Sequence, residues 1–181
     1  YNVCKTQSIK LAGMVYSAGV DGTWPIKVNS INKMRKMMDI NCFAFVELAR
    51  MFYSGRISNE GASIVAISSI ASLTMEPGMV SYSASKAALN AVVKTMAKEF
   101  IRRKIRVNAV LPAGVSTPMA EMKGELLSEV QKVQEGKEKS DVHGLGMIPP
   151  EQVAEQVEFL LSDKSAFKTG EFEVLSAGTW Y

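Results

Sequence analysis

The chain has 181 residues, of which 47% are hydrophobic and 22% charged, and its formal net charge is +3. That length supports one domain with a real core, and the balance is ordinary for a globular chain. Basic residues do not interleave with aromatics, and no apolar run reaches the roughly 18 residues of a membrane span, so nucleic-acid binding and membrane insertion are not indicated.

Residues 1–10 carry no clear signal. Leu11 to Tyr16 reads as a buried strand that breaks at Gly19. Val20 to Val28, with Gly22 and Pro25, reads as a loop. Ser30 is a natural N-cap for a long helix reaching about residue 53, because Ile31, Met34, Met37, Met38, Cys42, Val46 and Leu48 recur at helical spacing. Residues 54–61 form a polar turn, and 62–68 read as a buried strand. A loop with Pro77 and Gly78 follows, then a helix over about 82–102. A strand over 105–111 ends at Pro112. Between that helix and strand, Arg102, Arg103, Lys104 and Arg106 read as a solvated turn that complements the helix C-terminal dipole. Residues 119–146 are rich in Glu, Lys, Gln and Ser, and short helices with a mobile stretch are expected there. The single histidine, His143, is expected to be exposed in that segment. Pro150 suits the first position of a helix running to about 161. A last strand covers about 171–175. Strands alternating with helices imply a parallel sheet with right-handed crossovers.

Cys4 and Cys42 show neither metal-ligand nor disulfide spacing, and Cys42 reads as a small core residue. A cytoplasmic, reducing setting is expected. No signal peptide is visible, and no metal site is indicated.

The chemistry concentrates in Ser81-Tyr82-Ser83-Ala84-Ser85-Lys86-Ala87-Ala88-Leu89-Asn90. Tyr82 and Lys86 are four apart, so on a helix phenol and ammonium share one face. A lysine beside a phenol favours phenolate and strengthens the phenol as a proton donor. Moving a phenol from its ordinary pKa near 10 to about 7 takes roughly 4 kcal/mol. One cation at about 4 Å in an effective dielectric of about 20 supplies on the order of 4 kcal/mol before desolvation opposes it. Lys86 alone is therefore marginal. Ser69 ends the apolar run Ala62-Ser63-Ile64-Val65-Ala66-Ile67-Ser68, at the strand end where open α/β sheets bind ligands; Ser68 competes for its role. Asn41 lies inside an apolar helix and must be bonded, either to backbone or in a catalytic role.

These residues resemble the short-chain dehydrogenase/reductase family, and the flanks extend the match. Asn41 stands where the family has its fourth catalytic residue. Tyr16-Ser17-Ala18-Gly19 resembles its Asn-Asn-Ala-Gly turn with both asparagines replaced. Pro112-Ala113-Gly114-Val115-Ser116-Thr117 resembles its Pro-Gly-x-Val-x-Thr segment, with Ala113 in the glycine position. Pro150-Glu151-Gln152-Val153-Ala154 and Lys168-Thr169-Gly170 match later signatures. The resemblance implies the C-terminal part of a Rossmann-like, doubly wound parallel sheet of about four strands. It also implies Tyr82 as proton donor or acceptor and Ser69 as hydrogen-bond donor to a substrate carbonyl. The thirteen-residue step from Ser69 to Tyr82 favours Ser69 over Ser68. Asn41 would hold a water that relays protons to Lys86. Ser17, Ala18, Gly19, Tyr82, Lys86, Pro112, Val115 and Thr117 would meet an NAD or NADP cofactor. Residues 119–146 would cover the substrate, and Ala113 would restrict its loop.

The family's opening Gly-x-x-x-Gly-x-Gly turn, which holds the cofactor pyrophosphate, has no counterpart among the 13 glycines. The expectation is a partial domain lacking the dinucleotide-phosphate half. Residues 11–15 would then form an apolar edge needing cover from residues 1–10, another chain or the missing segment. Two functions follow. One is a nicotinamide-dependent oxidoreductase acting on a small-molecule carbonyl or alcohol. The other is a cofactor-free, non-enzymatic remnant. In either case a homodimer or homotetramer, paired through the two long helices, is expected.

Overall fold

The structure is a computed structural model that describes residues 6, 9–118 and 144–179. Residues 119–143, with His143 and most of the expected substrate cover, lie outside the described residues, as does Cys4.

Four apolar runs become one parallel sheet: β1 (Leu11–Tyr16), β2 (Ser58–Ile67), β3 (Arg106–Pro112) and β4 (Phe172–Leu175), adjacent in that order. Their carboxyl ends are level, since Tyr16 pairs with Ala66, Ile67 with Val110 and Pro112 with Leu175. β2 begins at Ser58, earlier than its apolar run predicts. The extra residues are absorbed where the register shifts between Leu11 and Gly13, and Gly61 takes a φ of 76° there, where a side chain would be strained.

Helices cover both faces. α1 (Ile31–Met38), a π-helical turn (Asp39–Phe43) and α2 (Ala44–Phe52) form one continuous rod. Ser30 caps it by accepting the Lys33 N–H at 3.3 Å. A short α3 (Ala71–Thr74) precedes α4 (Val80–Glu99), which continues into a 3-10 turn, Phe100–Arg103. α5 (Pro150–Leu161) starts with Pro150 in its first turn. Phe45, Ala49 and Phe52 of α2 and Leu89, Val93 and Ala97 of α4 pack on Ile64, Ala66, Val107, Ala109 and Leu111. Val153, Val157 and Leu160 of α5 pack on Val65 and Val110 from the other side. Adjacent strand residues point to opposite faces, so burial of both Ile64 and Val65 requires helices on both sides.

The basic cluster behaves differently from a solvated turn. Arg106 is buried on β3. Its guanidinium donates to the carbonyls of Leu160 (2.8 Å), Leu161 (3.4 Å), Ser162 (3.1 Å) and Ser165 (3.1 Å), and to Ser165 Oγ (2.8 Å). It therefore satisfies the orphan carbonyls at the end of α5. Arg103 does the same after α2, donating to the Tyr53 carbonyl and to Ser58 Oγ and O at 2.9 and 2.8 Å. Dipole complementation is present, but it serves α5 and α2 rather than α4. No local pattern could show this, because the acceptors are 45 or more residues away.

β1 is an edge among the described residues, with Val15 44% exposed. Of the expected cover from residues 1–10, all but residues 6, 9 and 10 lies outside the described part.

Replacing Arg106 with Met should lower stability by about 2–4 kcal/mol, because several buried carbonyls lose their donor. The exposed Arg102→Met control should change it by no more than about 0.5 kcal/mol. Equilibrium denaturation in urea measures both.

Candidate active site

The carboxyl edge of the sheet gathers four segments. β1 leads into Ser17 and Ala18, both exposed, followed by Gly19. β2 ends just before Ser68 and Ser69. The first turns of α4 carry Tyr82 and Lys86. The π-helical turn presents Asn41.

Ser69 and Ser68 part company here. The Ser69 hydroxyl faces the Tyr82 phenol and favours its ionised form, and its Oγ accepts the Ala71 N–H at 3.2 Å. Ser68 is buried and turned toward the Lys86 carbonyl at 3.4 Å. Lys86 reaches back along α4 so that its ammonium donates to the Ile67 carbonyl at 2.9 Å and lies 5.8 Å from the Tyr82 ring centroid. Ser69, Tyr82 and Lys86 therefore share one place at the strand ends.

Asn41 is fully buried. Its Oδ1 accepts the Val20 N–H at 2.8 Å, and its Nδ2 donates to the Val20 carbonyl at 2.9 Å and to Ser85 Oγ at 2.9 Å. The buried amide is thus bonded to backbone, as the sequence required of it, although the backbone belongs to the loop after β1 rather than to Asn41's own helix. The π-helical turn fits this position, since the Ala44 N–H bonds the Asp39 carbonyl five residues back. Tyr16, standing where the resemblance has asparagine, donates its hydroxyl to the Ile40 carbonyl in that turn and packs its ring 5.4 Å from Phe45. Cys42 is buried beside it, and burial pushes its thiol above the ordinary value.

Electrostatics corrects one expectation. Lys86 does not hold Tyr82 toward phenolate. Burial pushes the phenol up to about 12; the Ser69 hydrogen bond partly opposes this and the Asp21 carboxylate adds to it. Burial pulls the Lys86 ammonium down to about 8, and Asp21 works against that fall. Desolvation is the largest influence on both groups.

The loop after β3 is tied down. Pro112 is buried and its carbonyl accepts the Ile70 N–H at 3.1 Å. The Ala113 N–H donates to Leu175 at 2.8 Å. Ile148 and the 114–116 stretch exchange bonds of 2.8 and 2.9 Å, and Val115 bridges Ile148. Thr117 Oγ1 donates to the Val115 carbonyl at 3.4 Å. Ala113 carries no left-handed backbone, and its methyl packs against the core. The expected restriction by its side chain causes no strain.

Two site residues were missed in the sequence. Ser85 donates to the Tyr82 carbonyl at 2.8 Å while receiving Asn41. Asp21 acts on both Tyr82 and Lys86. Asp21-Gly22 reads locally as turn chemistry, and only its place two residues beyond Gly19 hinted at more.

Comparison with known proteins accords with this geometry. A family model described as enoyl-(acyl carrier protein) reductase matches residues 2–179. The 3-oxoacyl-(acyl-carrier-protein) reductase FabG of Thermotoga maritima is 33% identical over 148 residues, covering 78% of this chain and 55% of that protein. Human dehydrogenase/reductase SDR family member 4 is 35% identical over 144 residues, covering 80% of this chain and 50% of that protein. A 4-hydroxyisoleucine dehydrogenase solved with NADH superimposes with a TM-score of 0.81 at 26% identity, over 98% of this chain and 71% of that one. The chain belongs to the short-chain dehydrogenase/reductase family of oxidoreductases, with a Rossmann-like sheet. It spans about half the length of the two curated relatives. No helix among the described residues is long and apolar enough to cross a membrane.

The Tyr82–Lys86 pair gives a pH signature. Between about 8 and the ordinary 10.5, the unfolded chain holds a proton on Lys86 that the folded chain has lost, so stability rises with pH. Between the ordinary 10.0 and about 12, the folded chain keeps the Tyr82 proton that the unfolded chain has lost, so stability falls. Denaturation across pH should show a maximum near the crossover. In Lys86→Met the rising limb, on the order of 3 kcal/mol, should vanish.

Proposed function

We propose that this chain carries the proton-transfer site of an oxidoreductase that interconverts a ketone and a secondary alcohol with a nicotinamide cofactor. The observation carrying the reading is the Lys86 ammonium, held on the Ile67 carbonyl, lying 5.8 Å from the Tyr82 ring with Ser69 at the same strand end, at the carboxyl edge of a parallel sheet. In reduction, Tyr82 Oη gives its proton to the carbonyl oxygen; in oxidation it takes the hydroxyl proton. Ser69 donates a hydrogen bond to that oxygen as charge develops. Lys86 keeps a donor and a positive charge beside the phenol, and Asn41 holds the loop against which the pair packs.

The residues fit the nicotinamide-ribose end of such a cofactor. A Cβ on Gly19 would lie 3.5 Å from both Asn41 Oδ1 and Lys86 Nζ, so the backbone runs close past the site without a side chain. Exposed Ser17 and Ala18 would line the ribose, and Pro112, Val115 and Thr117 would meet the carboxamide. Bound there, the nicotinamide supplies or accepts the hydride at carbon. The cofactor reading covers NAD and NADP alike. The name of the Thermotoga relative supports a 3-oxoacyl group as the substrate class.

One observation favours the second reading, a cofactor-free oligomeric module. The Tyr82 phenol is held near 12, far from the range of neutral proton transfer. Titration calorimetry with NADH and NADPH separates the two: saturable binding supports the oxidoreductase, and no binding to either supports the module.

In a form that turns over, Tyr82→Phe should lower kcat by about 10²–10⁴-fold while leaving dinucleotide affinity within a few fold. Retention of most activity would reject Tyr82 as the acid. Self-association through the two long helices belongs to the same reading. Phe43 is 54% and Ile101 55% exposed on them, and a groove of about 680 Å³ opens between Val46, Tyr53, Met96 and Phe100 at the end of α4 remote from Tyr82. Sedimentation velocity should show a dimer or tetramer; a single monomeric species would refute it.

A further inference from the structure

The serine of the site is braced from behind. Ser69 Oγ accepts the Ala71 N–H at 3.2 Å, which leaves the hydroxyl proton to be donated elsewhere. The Ser69 carbonyl accepts twice from one residue, the Ser72 N–H at 3.1 Å and Ser72 Oγ at 2.6 Å. Ser72 Oγ in turn accepts from Asn90 Nδ2 at 2.8 Å. Asn90 stands four residues beyond Lys86 and eight beyond Tyr82, so the three share one side of α4. On either side of Ser69 the backbone is tied to β3. The Ser68 N–H bonds the Val110 carbonyl at 2.8 Å, and the Ile70 N–H bonds the Pro112 carbonyl at 3.1 Å. A polar strut therefore runs from the helix that carries Tyr82 and Lys86, through α3, to the peptide of Ser69.

Ser72 and Asn90 are 3% and 7% exposed. Burying a hydroxyl and an amide is costly unless both are bonded, and Asn90 Oδ1 finds no partner among the described residues. Apolar side chains of similar size would fill this seam without that cost. α3 has four residues, too few to hold a helical turn unaided, and its buried side chains are Ala71 and Ser72. Of those two, only Ser72 can form a directional bond to α4. We propose that Ser72 and Asn90 are positioning residues for Ser69, a strut by which the helix that carries the phenol also sets the serine hydroxyl. This deepens the proposed oxidoreductase reading and rests on it for the effect on turnover; the strut itself is read from the hydrogen bonds. A donor to a developing oxyanion is effective when it already stands where that oxygen will be, because nothing then reorganises during the reaction. A Ser69 freed from the strut leaves substrate binding intact but visits orientations in which it misses the oxygen. The loss falls on kcat rather than on KM.

Ser72→Ala removes the hydroxyl, and Asn90→Leu removes the amide at nearly the same size. Either variant decides the question if the other fails to fold. The first measurement needs neither cofactor nor turnover. The three-bond Hα–Hβ couplings of Ser69, read by NMR on the cofactor-free chain, report its side-chain rotamer. They should indicate one rotamer in the wild type and move toward rotamer-averaged values in both variants. Thr95→Ala, which removes an exposed hydroxyl further along α4, should leave them unchanged. Averaged couplings in the wild type, or single-rotamer couplings in Ser72→Ala and Asn90→Leu, overturn the proposal. The second measurement is a mutant cycle with Ser69→Ala in a form that turns over. Ser72→Ala alone should lower kcat by about 10–100-fold, with KM for the carbonyl substrate within a few fold. Added to Ser69→Ala, it should lower kcat by no more than about twofold, because the residue it acts through is gone. An equal loss in both backgrounds marks a general disturbance of the fold and overturns the proposal, as does an unchanged kcat in Ser72→Ala. If Tyr82→Phe retains activity, the oxidoreductase reading fails, while the Ser69 couplings still decide whether the strut positions the serine.

Discussion

The site depends on one fully buried amide. Asn41 joins three parts of the chain that share no sequence proximity: the loop after β1 through Val20, its own π-helical turn, and α4 through Ser85. Ser85 in turn bonds the Tyr82 carbonyl, one residue before the turn that carries Lys86 completes. A buried amide with unmet bonds would cost several kcal/mol, so the three parts are held wherever the amide can be satisfied. Tyr16 acts in the same place by a different route, filling the core against Phe45 and donating to Ile40. The strand end, the widened helical turn and the tyrosine helix thus share one set of hydrogen bonds rather than merely abutting.

That anchoring explains why burial dominates the electrostatics. Lys86 is held inward, with its ammonium on the Ile67 carbonyl and almost no solvent. Tyr82 lies beneath the same edge with Ser69. Desolvation of buried Lys86 and half-buried Tyr82 drives each group toward its neutral form. Whatever occupies the crevice changes this balance most directly, since a further charge at that point acts through a medium of low polarisability.

Burial also shows why the arginines matter beyond surface charge. Arg103, in the 3-10 turn after α4, and Arg106, the first residue of β3, close the ends of two helices on opposite faces of the sheet. A carbonyl at a helix end needs a donor, and a forked guanidinium on the adjacent strand can serve several at once. The position of α5 over β2 and β3 is thereby locked to the strand that also leads to Pro112.

Much of this was legible in one dimension. The strand at Leu11–Tyr16, the cap at Ser30, the helix start at Pro150, the shared face of Tyr82 and Lys86 and the parallel order of elements follow from periodicity, capping chemistry and spacing, which act over a few residues. Family membership was legible because several short segments kept their order and distances. What only the tertiary structure decided is long-range: that Ser69 and not Ser68 meets the phenol, that Asn41 spends its amide on Val20, that Arg106 is a buried cap rather than a solvated charge, and that Asp21 belongs to the site. Each depends on which groups lose water together and which donor finds which acceptor across the fold. Neither quantity is a property of neighbouring residues.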